Sequence, residues 1–147
     1  MHTIVFIKQV PATSEIKWDP KTGTLMRESA ESVLNLTDKH ALEAALQLKE
    51  QHGGQSTAVS MGPPQAEEAL REALSMGIDR AILLSDKAFA GADTLSTAYT
   101  LSLAARNIGS FDLILCGKES SDGMTAQVGP QVAEFLNLPQ LTCATEI

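Results

Sequence analysis

Hydrophobic positions in this chain follow two alternating rhythms: continuous β-rich runs, and runs with apolar residues three and four apart. Thr3 to Val10 is a continuous run that predicts a buried first strand, closed by Pro11. Ile16-Lys17-Trp18 and Thr24-Leu25-Met26 flank the turn-forming Asp19-Pro20-Lys21-Thr22-Gly23, which predicts a β-hairpin. Ala41, Leu42, Ala45, Leu46 and Leu48 share one helical face. Thr37 or Asp38 can cap that helix, and Gly53-Gly54 ends it. Ser56 to Met61 predicts the next strand, and Gly62-Pro63-Pro64 turns the chain into a helix carrying Ala66, Ala69, Leu70, Ala73 and Leu74, stopped by Gly77. Ala81 to Ser85 reads as a strand. Asp93 or Thr94 then caps a helix with Ala98, Leu101 and Ala105 that ends before Gly109. Asp112 to Cys116 is the fourth strand of this series, followed by a polar loop over Gly117 to Gly123 and a helix from near Met124 to near Leu136. Pro139 breaks the chain, and Leu141 to Ile147 reads as the start of a further strand.

Strands and helices alternating at this spacing imply βαβ units. The expected fold is therefore α/β: a three-layer, Rossmann-like parallel sheet with helices on both faces and a β-hairpin inserted near the N-terminus. Such sheets hold ligands at the carboxyl ends of their strands, where the strand order reverses. Four places qualify: after Val10, before the first helix, around Met61-Gly62, and from Gly117 to Val128.

Composition narrows the function. With 147 residues, 44% apolar and 20% charged, the chain suits one ordinary soluble domain. Its 18 acidic and 11 basic side chains give a net charge of −7, which argues against a sequence-independent grip on nucleic acid. A single nucleotide stays open, because backbone amides can hold phosphate. The apolar runs are too short to insert in a membrane, and the N-terminus shows no secretory pattern, so the cytoplasm is the expected compartment. Cys116 and Cys143 are too isolated for a disulfide framework or a zinc site.

The strongest candidate site is the stretch Cys116-Gly117-Lys118-Glu119-Ser120-Ser121-Asp122-Gly123-Met124-Thr125-Ala126-Gln127-Val128-Gly129-Pro130. A helix starting there presents unpaired amides in its first turn, Gly123 permits a close approach or positive φ, and Thr125 and Gln127 can add hydrogen bonds. Together these make a phosphate cradle, or else an ordinary loop whose polar groups only cap the helix. Asn35 and Asp38 can hold a base or ribose, or serve only as caps. Lys8 faces phosphate or solvent. The Met61-Gly62 turn admits a flat ring or is simply a turn. Catalytic constellations are missing: His40 and His52 lie 12 positions apart near opposite ends of one helix, and Cys116 suits a small buried hydrophobe. Aromatic content is 4%, so a bound ring would rest on aliphatic walls and backbone.

Several stretches in order along the chain resemble the β subunit of electron transfer flavoproteins. They are Lys8-Gln9-Val10-Pro11 with Glu15 to Pro20, Asn35 to Glu50, Ser60-Met61-Gly62-Pro63, Leu74 to Asp86, Gly91-Ala92-Asp93-Thr94 and Asp122 to Pro130. The first and the fifth resemble the prokaryotic forms, including those that bifurcate electrons. The resemblance implies an adenine nucleotide α-hydrolase-like fold and a heterodimer with an α subunit carrying the electron-transferring FAD. The complex would pass electrons between acyl-CoA or other dehydrogenases and their acceptors. The β subunit would bind AMP, or the adenylate part of a second FAD, and would itself be no enzyme. By position, the nucleotide-contacting residues would be Phe6, Lys8, Asn35, Asp38, Ala58, Ser60, Met61, Gly117, Asp122, Gly123, Thr125, Ala126, Gln127 and Val128.

Three departures from the family pattern stand out. Asn35-Leu36-Thr37 replaces Asn-Pro-aromatic, Glu119-Ser120 replaces Gln-Ala and adds a negative charge, and Met124 stands where Asp is frequent. The chain is also shorter than family members, so residues 1–147 are expected to form one nucleotide-binding domain truncated at its C-terminal edge. The alternative reading is a free-standing adenine-nucleotide sensor of the universal-stress-protein kind, with no redox role.

Overall fold

The computed structural model describes residues 1–12 and 32–147. The hairpin expected over Ile16 to Met26 lies outside the described residues. In chain order the elements are β1 (His2–Phe6), β2 (Gln9–Pro11), β3 (Ser32–Leu34), α1 (Leu36–His52), β4 (Gln55–Met61), α2 (Glu67–Met76), β5 (Arg80–Leu84), α3 (Thr94–Ile108), β6 (Leu113–Cys116) and α4 (Val128–Leu136). β5, β4, β1 and β6 form one parallel sheet in that order, while β2 and β3 make a separate antiparallel ribbon. The three-layer α/β fold read from the sequence is the one observed.

Alternation along β1 divides the core. Val5, with Ile7 just past the strand, packs with Leu42, Ala45, Leu70 and Ala73 under α1 and α2. Ile4 and Phe6 pack with Ala98, Leu101, Ala105 and Val132 under α3 and α4. Side chains two apart on a strand share a face, so one short apolar run serves both layers. Alanines at the helix–sheet contacts let the backbones come close. At the amino end of β1, the His2 imidazole donates from Nδ1 to the Ser110 carbonyl and shares a hydrogen bond between Nε2 and the Thr57 hydroxyl, both at 2.9 Å, while the His2 amide donates to the Asp112 carboxylate at 2.7 Å.

The periodicity located β4, α2, β5, α3 and β6 to within about a residue, and Asp93 caps α3 by accepting from the Ser96 amide at 2.8 Å. Gly53 and Gly77 end α1 and α2 with φ of 66° and 120°, which a side chain would strain.

Four expectations change. The run from Thr3 to Val10 is two strands, because after Ile7 the chain leaves the sheet: the Lys8 amide donates to the Asp38 carboxylate at 2.8 Å, and the Lys8 carbonyl accepts from the Asn35 amide at 2.9 Å. Asn35 occupies the cap position of α1, without a side-chain cap bond, because the polar groups of Thr37 and Asp38 are used elsewhere. α4 begins at Val128, not near Met124, since Met124 and Ala126 have φ of 49° and 53° and cannot join a right-handed helix. Residues 141–147 form no strand.

Candidate functional site

The sheet order steps from β1 to β4 and β5 on one side and to β6 on the other, so the reversal falls between β1 and β6. Lys8 lies two residues beyond the end of β1 and Gly117 one beyond β6. The start of α1 sits against both. Asp38, only 6% exposed, receives the Lys8 amide on Oδ2. A methyl group on Gly117 would lie 2.2 Å from Asp38 Oδ1 and 2.6 Å from Thr37 Oγ1, so only glycine lets the β6 loop pass here.

Asn35, 1% exposed, anchors that loop. Its Nδ2 donates to the Glu119 carbonyl at 2.9 Å and its Oδ1 accepts from the Ser121 amide at 3.2 Å. The Thr37 hydroxyl donates to the same Glu119 carbonyl at 2.6 Å. The loop then folds back over the cleft, where Lys8 Nζ meets both Asp122 oxygens at 2.7 and 2.8 Å. The Glu119 carboxylate, 3.7 Å from Lys118 Nζ, is partly covered.

Past Asp122 the backbone is unusual. The Met124 amide closes a turn on the Ser120 carbonyl at 2.9 Å, and left-handed Met124 and Ala126 flank Thr125. Alternation of right- and left-handed residues turns successive amides to one side and makes a concavity that suits an anion. The first-turn amides of α4 add to it. Of the two roles open to Gly123, a close approach or a positive φ, it does not take the positive φ; a side chain there would meet Ser120 Oγ at 3.3 Å. The positive φ sits on Met124 and Ala126 instead. Gln127 Oε1 accepts from the Thr94 hydroxyl at 3.4 Å and so links the loop to the start of α3.

Local electrostatics follow from burial. Desolvation pushes the Asp38 pKa up to about 6, although the amides of Lys8 and Gly117, the Asn35 side chain and the Lys8 charge all act the other way. Burial also opposes the charge of Asp122, but hydrogen bonds from Lys8 and Ser120 outweigh it and hold that carboxyl below the usual range. The Cys116 thiol, half-buried against the α3/α4 core, is pushed up to about 12 by burial and by the Asp38 charge, which disfavours its thiolate form.

Of the residues marked in the sequence, Lys8, Asn35, Asp38, Gly117 and Asp122 converge on the β1–β6 cleft. Gly123, Thr125, Ala126 and Gln127 line its exposed lip, and Val128 opens α4. Phe6 and Ala58 bury their side chains in the two core layers, so only their backbone remains for a ligand. Ser60 and Met61 end β4, level with the chain leaving β1. The Ser60 hydroxyl is fully buried and has no hydrogen-bond partner among the described residues. Thr37, a plausible cap on paper, fastens the loop instead, and no local signal marks a partner 82 residues away. No helix among the described residues is long and apolar enough to cross a membrane.

A phosphate-bearing ligand is compatible with these residues. Among the described residues the buried Ser60 hydroxyl lacks a partner, Gly117 lets the β6 loop pack against the start of α1, and the left-handed Met124 and Ala126 lead the loop into the first-turn amides of α4, which can hold a phosphate.

Known proteins align with this layout. The family model described as electron transfer flavoprotein domain matches residues 22–147. A protein of Thermoanaerobacterium thermosaccharolyticum named electron transfer flavoprotein subunit beta is 53% identical over 147 residues, covering all of this chain and 56% of that one. A caffeyl-CoA reductase–Etf complex subunit, CarD, of Acetobacterium woodii is 51% identical over 148 residues, with the whole chain and 56% of the relative covered. A protein of Azorhizobium caulinodans named FixA is 50% identical over 151 residues, covering all of this chain and 54% of that one. The chain thus spans about half the length of the relatives it matches. With most of its length matched by the family model and a ligand cleft where such a sheet should carry one, the chain belongs to the electron transfer flavoprotein family.

Proposed function

We propose that this chain is the nucleotide-holding part of an electron transfer flavoprotein β subunit. It binds AMP or the adenylate portion of FAD between the ends of β1 and β6 and works in the cytoplasm beside an FAD-bearing α subunit. The carrying observation is the convergence of Lys8, Asn35, Asp38 and the 117–127 loop at the strand-order reversal. The names of its relatives support the electron-transfer role.

Each group has a part. The backbone at Phe6, Ala58, Ser60 and Met61 faces the nucleoside, with the buried Ser60 hydroxyl behind it, and aliphatic walls rather than aromatic stacking hold the base. Amides around Met124 to Val128 take the phosphate, with Gly123, Thr125 and Gln127 at the rim. Lys8 exchanges Asp122 for phosphate charge. Bound flavin would supply the redox chemistry; the chain supplies position and electrostatics, has no acid, base or nucleophile of its own to offer, and is not by itself an enzyme. Acyl-CoA or other dehydrogenases are the donors expected to meet the assembled complex.

Calorimetric titration of the chain with AMP and with FAD tests the site, and coexpression with the α subunit encoded in the same genome tests the partner. One saturable nucleotide site and a yellow complex are expected. Failure to bind either nucleotide overturns the site, whereas nucleotide binding without a flavin-coloured complex favours the stress-protein-like sensor.

A further inference from the structure

We infer that Asp38 is a positioning residue and not a nucleotide ligand: its carboxylate braces the chain leaving β1 against the chain leaving β6 and so sets the width of the cleft between them. The inference rests on the nucleotide reading of that cleft for its functional meaning, but its geometry stands apart from it. Asp38 is 6% exposed, which leaves its side chain little surface to offer a ribose. Oδ2 holds the Lys8 amide at 2.8 Å. Oδ1 lies against Gly117, so closely that the methyl of an alanine there would come within 2.2 Å of it. The amide of Gly117 also helps stabilise the carboxylate charge. Lys8 and Gly117 are the residues at which the chain departs from the two central strands, and β1 and β6 pair only as far as Phe6 and Cys116. Beyond that point the cleft has no sheet hydrogen bonds to hold it together.

A carboxylate keeps a bare acceptor oxygen toward each side at once, Oδ2 on the Lys8 amide and Oδ1 against Gly117; a carboxylic acid or a carboxamide turns a hydrogen-bond donor toward one of them and weakens that contact. The brace is therefore coupled to the ionisation of Asp38, which burial moves to about pH 6. The charged or titratable groups around it are few. Lys8 lies beyond β1 with Asp122 on its ammonium, Cys116 ends β6, and Lys118 and Glu119 follow in the loop. On α1 itself, Lys39 is turned to Glu72 on α2, and His40 is exposed.

Two measurements on the full chain test this. In the first, the amide proton resonances of Lys8 and Gly117 are followed by NMR from pH 4.5 to 8 without nucleotide. Both are expected to titrate together with the midpoint of Asp38, and to lose that titration in Asp38→Asn. Independent or flat behaviour of the two amides overturns the brace, whether or not the site binds nucleotide. In the second, AMP affinity is compared between the wild type and Asp38→Asn at pH 7.5 and pH 5.5. The variant is expected to bind several-fold more weakly at pH 7.5 and to lie closer to the wild type at pH 5.5, where most of the wild-type charge is gone; the comparison cancels protonation of AMP itself. Equal affinities at pH 7.5 overturn the inference. A wild type that binds no AMP at either pH overturns the nucleotide reading alone and leaves the NMR titration to decide the brace.

Discussion

Replacing Gly117 by alanine puts the packing of the cleft to a quantitative test. The added methyl would sit 2.2 Å from Asp38 Oδ1, 2.6 Å from Thr37 Oγ1 and 2.7 Å from the carbonyl carbon of Thr37. Methyl carbons in real proteins essentially never come closer than about 3.0 Å to a neighbouring heavy atom. A rotamer change could move the first two neighbours, but the third is backbone, so the start of α1 has to shift away from the end of β6. Overpacking of this kind costs about 1–3 kcal/mol. Disturbing a hydrogen bond to the buried Asp38 charge adds about 1.5–3 kcal/mol. A loss near 3 kcal/mol lowers the Tm of a domain this size by about 10 °C. Differential scanning calorimetry at pH 7.5 reads this directly, with Gly129→Ala as the control. There the methyl would meet Cys116 at 3.6–3.7 Å, an ordinary contact, inside a helix that alanine favours. The control is expected to hold or raise Tm. A Gly117→Ala chain melting within about 2 °C of the wild type would refute the reasoning, since about 3 kcal/mol cannot hide in so small a change.

Other outcomes follow from the same site. Ala126→Gly removes a left-handed alanine with φ of 53° and should raise stability by up to about 1 kcal/mol while loosening the loop, so that Tm rises and AMP binding weakens; a fall in Tm would contradict stored backbone strain there. Asp38 should make stability fall as pH rises. Its folded pKa, about 6, exceeds the usual 3.8, so its stabilising effect is complete below about pH 4 and lost by pH 7, a difference of roughly 3 kcal/mol at most. Chemical denaturation of wild type and Asp38→Asn across this window should show the decline in the wild type only, and parallel curves would count against a buried ionised carboxylate.

Much of the architecture was legible because it rests on local periodicity. Apolar residues at helical spacing marked α2 and α3, and the short β-rich runs marked β4, β5 and β6. Two of the misreadings have a deciding contact that is remote in sequence. β1 stops early because Asp38, thirty residues on, takes the Lys8 amide. Thr37 looks like a cap until its partner 82 residues away is seen. The late start of α4 comes from left-handed backbone at a methionine and an alanine, residue types that carry no signal for it, whereas Gly123 carried the signal without the conformation. Site positions were more legible than site roles. Lys8, Asn35 and Asp122 were marked as ligands, yet they also bind one another's loops.

The central place of β1 also has a consequence for biosynthesis. The strand made first is completed last: it pairs on one side with β4, about fifty residues later, and on the other with β6, more than a hundred residues later. His2 waits in the same way for Ser110 and Asp112. Local helices can form as the chain leaves the ribosome, but the middle of the sheet cannot close until Cys116 has emerged. At about 5–20 residues per second this leaves the apolar β1 unpaired on one edge for several seconds or more. Non-local pairing of this kind slows folding and lengthens exposure to aggregation. Nascent β1 is therefore the segment for which a chaperone on the translating ribosome would matter most.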